Sequence, residues 1–157
     1  MTKLPPYQII GLMSGTSLDG LDIAMCEFNV LKGEYTYSIL AAQTIAYSDT
    51  WKNKLHAAKN LSAENYFVLN AEYGGWMAEC VNTFIQENNF KPYAIASHGH
   101  TVFHQPHLGF STQIGCGATL AAKTNLITVC DFRSLDVALG GQGAPLVPIG
   151  DALLFKK

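Results

Sequence analysis

The apolar positions begin as an almost unbroken run over residues 7–13, stop at a turn of Gly, Ser, Thr and Asp, and resume over residues 21–28. Short apolar runs bounded by turn residues predict buried strands. Lys32-Gly33-Glu34 predicts the next turn, and the aromatic and β-branched stretch 35–47 predicts a third strand. Connections this short favour antiparallel neighbours, so the chain is expected to open with a three-stranded meander.

The period then changes. Ser48-Asp49 offers an N-cap for a helix over 50–59, and Ser62 opens a longer helix running to about Asn88. Its expected apolar stripe is Phe67, Ala71, Gly74, Ala78, Val81 and Ile85, at spacings of four and three. Gly74 and Gly75 each cost a helix about 1 kcal/mol against Ala, so a close approach is expected there, most simply by the sheet. Lys91-Pro92 ends the helix. Strands are predicted at 93–97, 111–114 and 126–130, with a helix of small residues at 116–124. The fold class is therefore α/β, a mixed sheet in which a β-meander is followed by β-α units. Residues 139–145 are glycine-rich and predict no regular element, and 151–155 reads as the first turns of a helix. Leu153, Leu154 and Phe155 have little sequence left to pack against. The expected organisation is one domain over 1–138, then a crossing and the start of a second domain over 139–157, in a longer two-domain protein.

Composition narrows the function classes. The 157 residues are 48% hydrophobic, enough for a packed core, and carry a net charge of −2, which gives no electrostatic reason to expect nucleic acid or an anionic membrane. No apolar run approaches the ~20 residues of a membrane-spanning helix. Met1-Thr2-Lys3-Leu4-Pro5-Pro6 leads straight towards a strand without a cleavable leader, so a cytoplasmic protein is expected. Cys26, Cys80, Cys116 and Cys130 show no CxxC spacing and read as four separate reduced thiols.

Four stretches carry chemistry. In the turn Ser14 to Asp22, Gly15 and Gly20 permit close backbone approach, Ser14, Thr16 and Ser17 bring hydroxyls, and Asp19 and Asp22 can hold Mg²⁺ through water. A hairpin turn has the same composition, and no Gly-Lys-Ser/Thr is present. Residues 97–107 hold four of the five histidines. His98 and His100 would share one face of an extended chain, which allows a metal site, a polar strand end that hydrogen-bonds a substrate, or simple turn structure. Arg133, between Asp131 and Asp136, can fork onto a carboxylate or phosphate, or pair with either neighbour. Residues 140–148, with Gln142 among three glycines, suit a hinge or a substrate-lining loop.

Together, Gly11-Leu12-Met13-Ser14-Gly15-Thr16-Ser17-Leu18-Asp19-Gly20-Leu21-Asp22, Ser97-His98-Gly99, Asp131-Phe132-Arg133 with Asp136, and Gly140-Gly141-Gln142-Gly143-Ala144-Pro145-Leu146-Val147-Pro148 resemble the bacterial anhydro-N-acetylmuramic acid kinases in order and spacing. The resemblance covers this whole chain but a little under half of a typical family member. It implies an N-terminal actin-like ATPase (ribonuclease H-like) domain of the actin, sugar kinase and heat-shock ATPase fold class. It also implies a reaction that uses ATP and Mg²⁺: water opens the 1,6-anhydro bond of anhydro-N-acetylmuramic acid, and O6 is phosphorylated to give N-acetylmuramic acid 6-phosphate in peptidoglycan recycling. The implied partners are ATP and the amino sugar, with neither nucleic acid nor membrane, and a homodimer is left open.

Carried over by residue, Gly15, Thr16, Ser17, Leu18, Asp19, Gly20, Leu21 and Asp22 match the nucleotide-binding segment, with Asp19 or Asp22 near Mg²⁺. His98, Gly99, Thr101, Arg133, Asp136 and Gln142 fall on the sugar side. Three departures follow. Met13 stands where related kinases carry an acidic residue, so metal handling shifts to another carboxylate. His100 replaces the family's usual Gln, a change expected to alter hydrogen bonding at the sugar. The catalytic base belongs to an Asp-Thr-Gly-Pro-Gly-Asn motif that these 157 residues do not contain, so no catalytic residue is assigned here and this stretch is expected to be inactive alone. The alternative is a non-catalytic half-domain that binds a sugar or docks a partner.

Overall fold

Alternating burial along the first strand orients the rest of the sheet. In the computed structural model, which describes residues 6–155, β1 (Tyr7–Ser14) buries Ile10, Leu12 and Ser14 on one face and leaves Met13 43% exposed on the other. β2 (Gly20–Leu31) and β3 (Glu34–Ala46) follow antiparallel, as the expected meander. β4 (Ala94–Gln105) lies parallel to β1 on its free side. The outer edge of β4 is shared: its start pairs in parallel with β6 (Ile127–Val129) and its end antiparallel with β5 (Phe110–Ile114). The leader reading of the N-terminus falls largely on residues 1–5, outside those described.

Two capped helices cover the inner face. Ser48 and Ser62 accept backbone N–H bonds from Trp51 and Asn65, both at 3.3 Å, and start α1 (Asp49–Ala57) and α2 (Ala63–Asn88). The core is Ile10, Leu12, Leu21, Ile23, Met25 and Ile95 from the sheet against Leu55, Leu69, Tyr73, Met77, Val81 and Phe84 from the helices. The predicted stripe of α2 is met in part: Gly74, Ala78 and Val81 are buried as expected, Ile85 is half-buried, and Ala71 is exposed. Phe67 is 67% exposed, and the large side chains at 69, 73, 77 and 84 meet the sheet. The two glycines form a flank that is approached closely, Gly75 by the Lys123 side chain and Gly74 by backbone. A Cβ on Gly74 would stand 2.8 Å from the Cys116 carbonyl oxygen, so the close neighbour is the entry to α3 (Gly117–Thr124), not the sheet.

The other differences have local causes. The strand expected to end at Ser97 continues to Gln105, because a bulge lets β4 exchange β6 for β5 without ending. Residues 134–138 form a single helical turn, α4 (Ser134–Ala138), and α5 (Leu146–Leu154) begins earlier than expected. Pro148 is tolerated there because first-turn N–H groups have no intrahelical partner. Leu153 and Leu154 do find neighbours. They line a surface groove with Tyr7, Ile9, Phe28, Val30 and Tyr35, and Phe155 meets Tyr37 edge-on at 5.9 Å. Residues 139–145 form no helix or strand, as predicted. Among the described residues no helix is long and apolar enough to cross a membrane.

Candidate functional site

The turn after β1 is tight and faces solvent. Leu18 N–H reaches the Gly15 carbonyl at 3.4 Å, and Leu18 itself adopts a left-handed φ of 58°. Thr16, Ser17 and Asp19 are exposed, so their hydroxyls and carboxylate are available to a ligand. Gly20 and Leu21 serve the fold instead. A Cβ on Gly20 would lie 2.5 Å from the Ile45 carbonyl oxygen, and the Leu21 side chain is 1% exposed in the core. Gly20 is therefore glycine because β3 crosses close to it, not because a phosphate does. Asp22 is exposed on β2 opposite Met13, and its Oδ1 accepts a 2.5 Å bond from Thr44 Oγ1.

The bulge in β4 decides what the histidines do. Leu12 pairs with Ser97 and Ser14 with His100, so His98 and Gly99 together oppose the single residue Met13. Gly99 takes φ 70°, and a Cβ there would meet the Ile114 carbonyl oxygen at 2.5 Å. The extra residue puts His98 and His100 on opposite faces, against the expectation of one shared face. Histidines 98, 100 and 104 bond different partners: Arg133, Ser14 and Ser111. Among the described residues no three His, Cys, Asp or Glu side chains converge as a metal site would need.

On the outer face, His98 belongs to a bonded cluster. Arg133 donates Nε–H to His98 Nε2 at 3.1 Å and Nη1–H to the Gly143 carbonyl at 2.6 Å, while Asp136 Oδ2 accepts the Gly143 N–H at 2.7 Å. Both polar groups of the Gly143 backbone are thus held. Arg133 pairs with neither Asp131 nor Asp136. Asp131 instead closes its own turn, its Oδ1 accepting from Ser134 N–H and Oγ–H. Since His98 Nε2 accepts from an arginine, its proton sits on Nδ1, which donates to the Gly99 carbonyl at 2.9 Å. Burial, together with the Arg133 charge, holds the His98 pKa below the ordinary 6.5.

His98, Arg133, Gly143, Pro145 and Met13 line a cavity of about 290 Å³. Met13 also lines an adjoining groove with Gly11, Asp22, Ala24, Thr44 and Ala96. Met13 is thus the shared wall between a carboxylate beside the Ser14–Asp22 turn and the His98–Arg133 cluster. Gln142 is exposed, next to the clamped Gly143. Thr101 stands apart, opposite Gln113 on β4, with no side-chain hydrogen bond among the described residues.

Comparison with known proteins gives these surfaces a context. Residues 7–157 match the family model described as anhydro-N-acetylmuramic acid kinase. Curated proteins of that name are similar throughout. The one from Synechococcus elongatus is 41% identical over 155 residues, covering 94% of this chain and 41% of its own length. Those from Pseudomonas fluorescens and Pasteurella multocida are 39% and 37% identical, again over 94% of this chain and 41% and 40% of their own. The chain belongs to the anhydro-N-acetylmuramic acid kinase family. It spans about two fifths of the length of these relatives. Its mixed α/β sheet agrees with the N-terminal domain of the sugar kinase and actin-like ATPase fold class.

Sequence reasoning missed one part of this family member. Ser14 Oγ, Tyr47 Oη, Tyr73 Oη and His100 Nδ1 form a buried chain on the inner face, with contacts of 2.7, 2.5 and 3.0 Å. Nothing in the spacing of Tyr47 and Tyr73 announces a polar role, because both read as ordinary core aromatics. His100 was expected to bear on the sugar, yet it is 5% exposed and turned away from the cleft face.

Proposed function

We propose that this chain supplies one wall of a phosphotransferase site. The whole protein would use ATP and water to open the 1,6-anhydro bond of anhydro-N-acetylmuramic acid and phosphorylate O6, releasing ADP and N-acetylmuramic acid 6-phosphate. The observation that carries the reading is the placement of Asp22 and the His98–Arg133–Gly143 cluster on one sheet face, with Met13 between them. Family membership supports the same reading.

In this reading Gly15, Thr16, Ser17 and Leu18 cradle the nucleotide's phosphates with backbone N–H groups and hydroxyls. Gly20 and Leu21 act indirectly, as the anchored base of the turn. Asp19 and Asp22 are exposed carboxylates, and among the described residues they belong to no group of three His, Cys, Asp or Glu side chains. That donor set fits a Mg²⁺ ion that keeps its waters and rides on phosphate oxygens, and does not fit an all-protein cage. Bound there, Mg²⁺ neutralises charge on the transferring phosphoryl group. On the sugar side, Arg133 fixes His98 and Gly143, leaving Nη2 for a ligand oxygen, and Gln142 projects beside them. Gly99 shapes the bulge that aims His98. Asp136 holds the glycine loop, and Thr101 is assigned only a position on the sugar-side strand. Residues 139–157 then form the crossing into a second domain that brings the base.

Sugar-dependent ADP formation, measured with this chain and with protein of the relatives' full length, tests the reading. The full-length protein should turn over and the 157-residue chain should not. A full-length protein that releases no ADP in response to the sugar overturns the proposal. Turnover by this chain alone overturns the assignment of the base to a segment outside these 157 residues.

A further inference from the structure

The buried chain of four polar side chains lies outside both cavities, yet it ends at Ser14, the last residue before the exposed turn. Its members come from four places: Ser14 from β1, Tyr47 from the connection before α1, Tyr73 from α2 and His100 from β4. They are 1%, 4%, 0% and 5% exposed. A buried polar chain is stable only if every proton has an acceptor. Tyr73 Oη bonds Tyr47 and also lies within hydrogen-bonding reach of Ser14, so its O–H goes to one of these two. With the tyrosine protons directed towards Ser14 by either route, Ser14 donates to His100 Nδ1. This order puts the His100 proton on Nε2, which has no acceptor among the described residues but is not fully buried and can reach water; it is the opposite tautomer to His98 two residues away.

We propose that His100, as the Nε2–H tautomer, is a positioning residue that holds Ser14 and through it the turn at Gly15–Asp19 in its ligand-receiving shape. The proposal rests on the nucleotide reading of that turn. The geometry explains why a histidine is built in here. Ser14 and His100 are register partners across β1 and β4, so the hydrogen bond pins the last residue of β1 to the far side of the bulge. Below them, Tyr47 N–H bonds the Asp19 carbonyl at 3.3 Å, so the same chain also reaches the other end of the turn. Protonating His100 would turn Nδ1 from acceptor to donor and remove the acceptor of the Ser14 proton. The groups facing His100 are His98 on its own strand, Ser14 from β1, Ile114 from β5, Tyr47 and, beyond it, Tyr73 from α2. None of these is charged near neutral pH. Burial accordingly lowers the His100 pKa, with His98 adding to the effect.

Two measurements on this chain test the proposal. In ¹⁵N-histidine NMR, His100 should show a protonated Nε2 and a bare Nδ1, and His98 the reverse. A His100 proton on Nδ1 overturns the chain's direction and the proposal with it. Mg-ATP titration of wild type, His100→Gln and His100→Leu gives the second readout. Gln can accept the Ser14 proton through Oε1 and should bind within about twofold of wild type. Leu cannot accept it and should bind about tenfold more weakly, the cost of one stranded buried donor. Equal affinity for wild type and a folded Leu variant overturns the positioning role. Should Leu not fold, the wild-type Gly15–Leu18 amides must follow His100 protonation as pH falls, and their indifference overturns it equally. Wild type that binds no Mg-ATP refutes the nucleotide reading instead, while the tautomers still report on the chain.

Discussion

At the scale of single residues, protonation states tie the site to the fold. His98 and His100 are both held neutral by burial, with folded pKa values below 6.5. The unfolded chain therefore binds more protons than the folded one between those lowered values and 6.5. Stability is fully present above about pH 6.5 and is lost as pH falls through that window, levelling off below the folded values. Thermal melts from pH 7.5 to 5 should show a falling Tm that His100→Gln partly flattens. The buried chain makes a second prediction. Tyr73→Phe and Tyr47→Phe each remove one hydroxyl and leave the other tyrosine to bond Ser14, for about 0.5–1.5 kcal/mol each, whereas the double variant leaves Ser14 without a tyrosine partner, for about 1–3 kcal/mol. Urea denaturation of the single and double variants checks the order. Candidate chemistry at Asp19, Asp22, His98 and Arg133 was legible in the sequence because unusual residue types were dense there. The partners of His100 were not, because a tyrosine's hydroxyl bond depends on which elements pack together.

At the scale of elements, two glycines separate propensity from packing. Gly74→Ala gains about 1 kcal/mol of helix propensity, but its Cβ would press on the backbone at Cys116, an overpacking cost of about 1–3 kcal/mol. A net fall of a few degrees in Tm is expected, at about 2–4 °C per kcal/mol for a chain of this size. Arg133→Ala should free the Gly143 carbonyl and His98 together, seen as faster amide exchange over residues 141–145. The strands, the two Ser-capped helices and the β-α rhythm were readable because period and caps are local signals. The bulge at His98–Gly99 was not. It exists because β4 must exchange one neighbour for another, which a single stretch of sequence does not record. The stripe of α2 was legible at Gly74, Ala78 and Val81 and missed at Phe67, because the sheet meets the large side chains at 69, 73, 77 and 84.

At the scale of the molecule, the fold offers two working surfaces. The inner face is a core that includes Ser14, the last residue before the turn after β1, and the outer face presents Asp22 across Met13 from the Arg133 cluster. The central claim is that these outer features form one ligand-binding face. The most direct test is a backbone amide NMR titration of this chain with Mg-ATP and, separately, anhydro-N-acetylmuramic acid. The account predicts that Mg-ATP shifts residues 15–19 and 22, and that the sugar shifts 98–99, 133 and 142–143, with Met13 responding to both. Shifts confined to other surfaces, or none with either ligand at millimolar concentration, would contradict it.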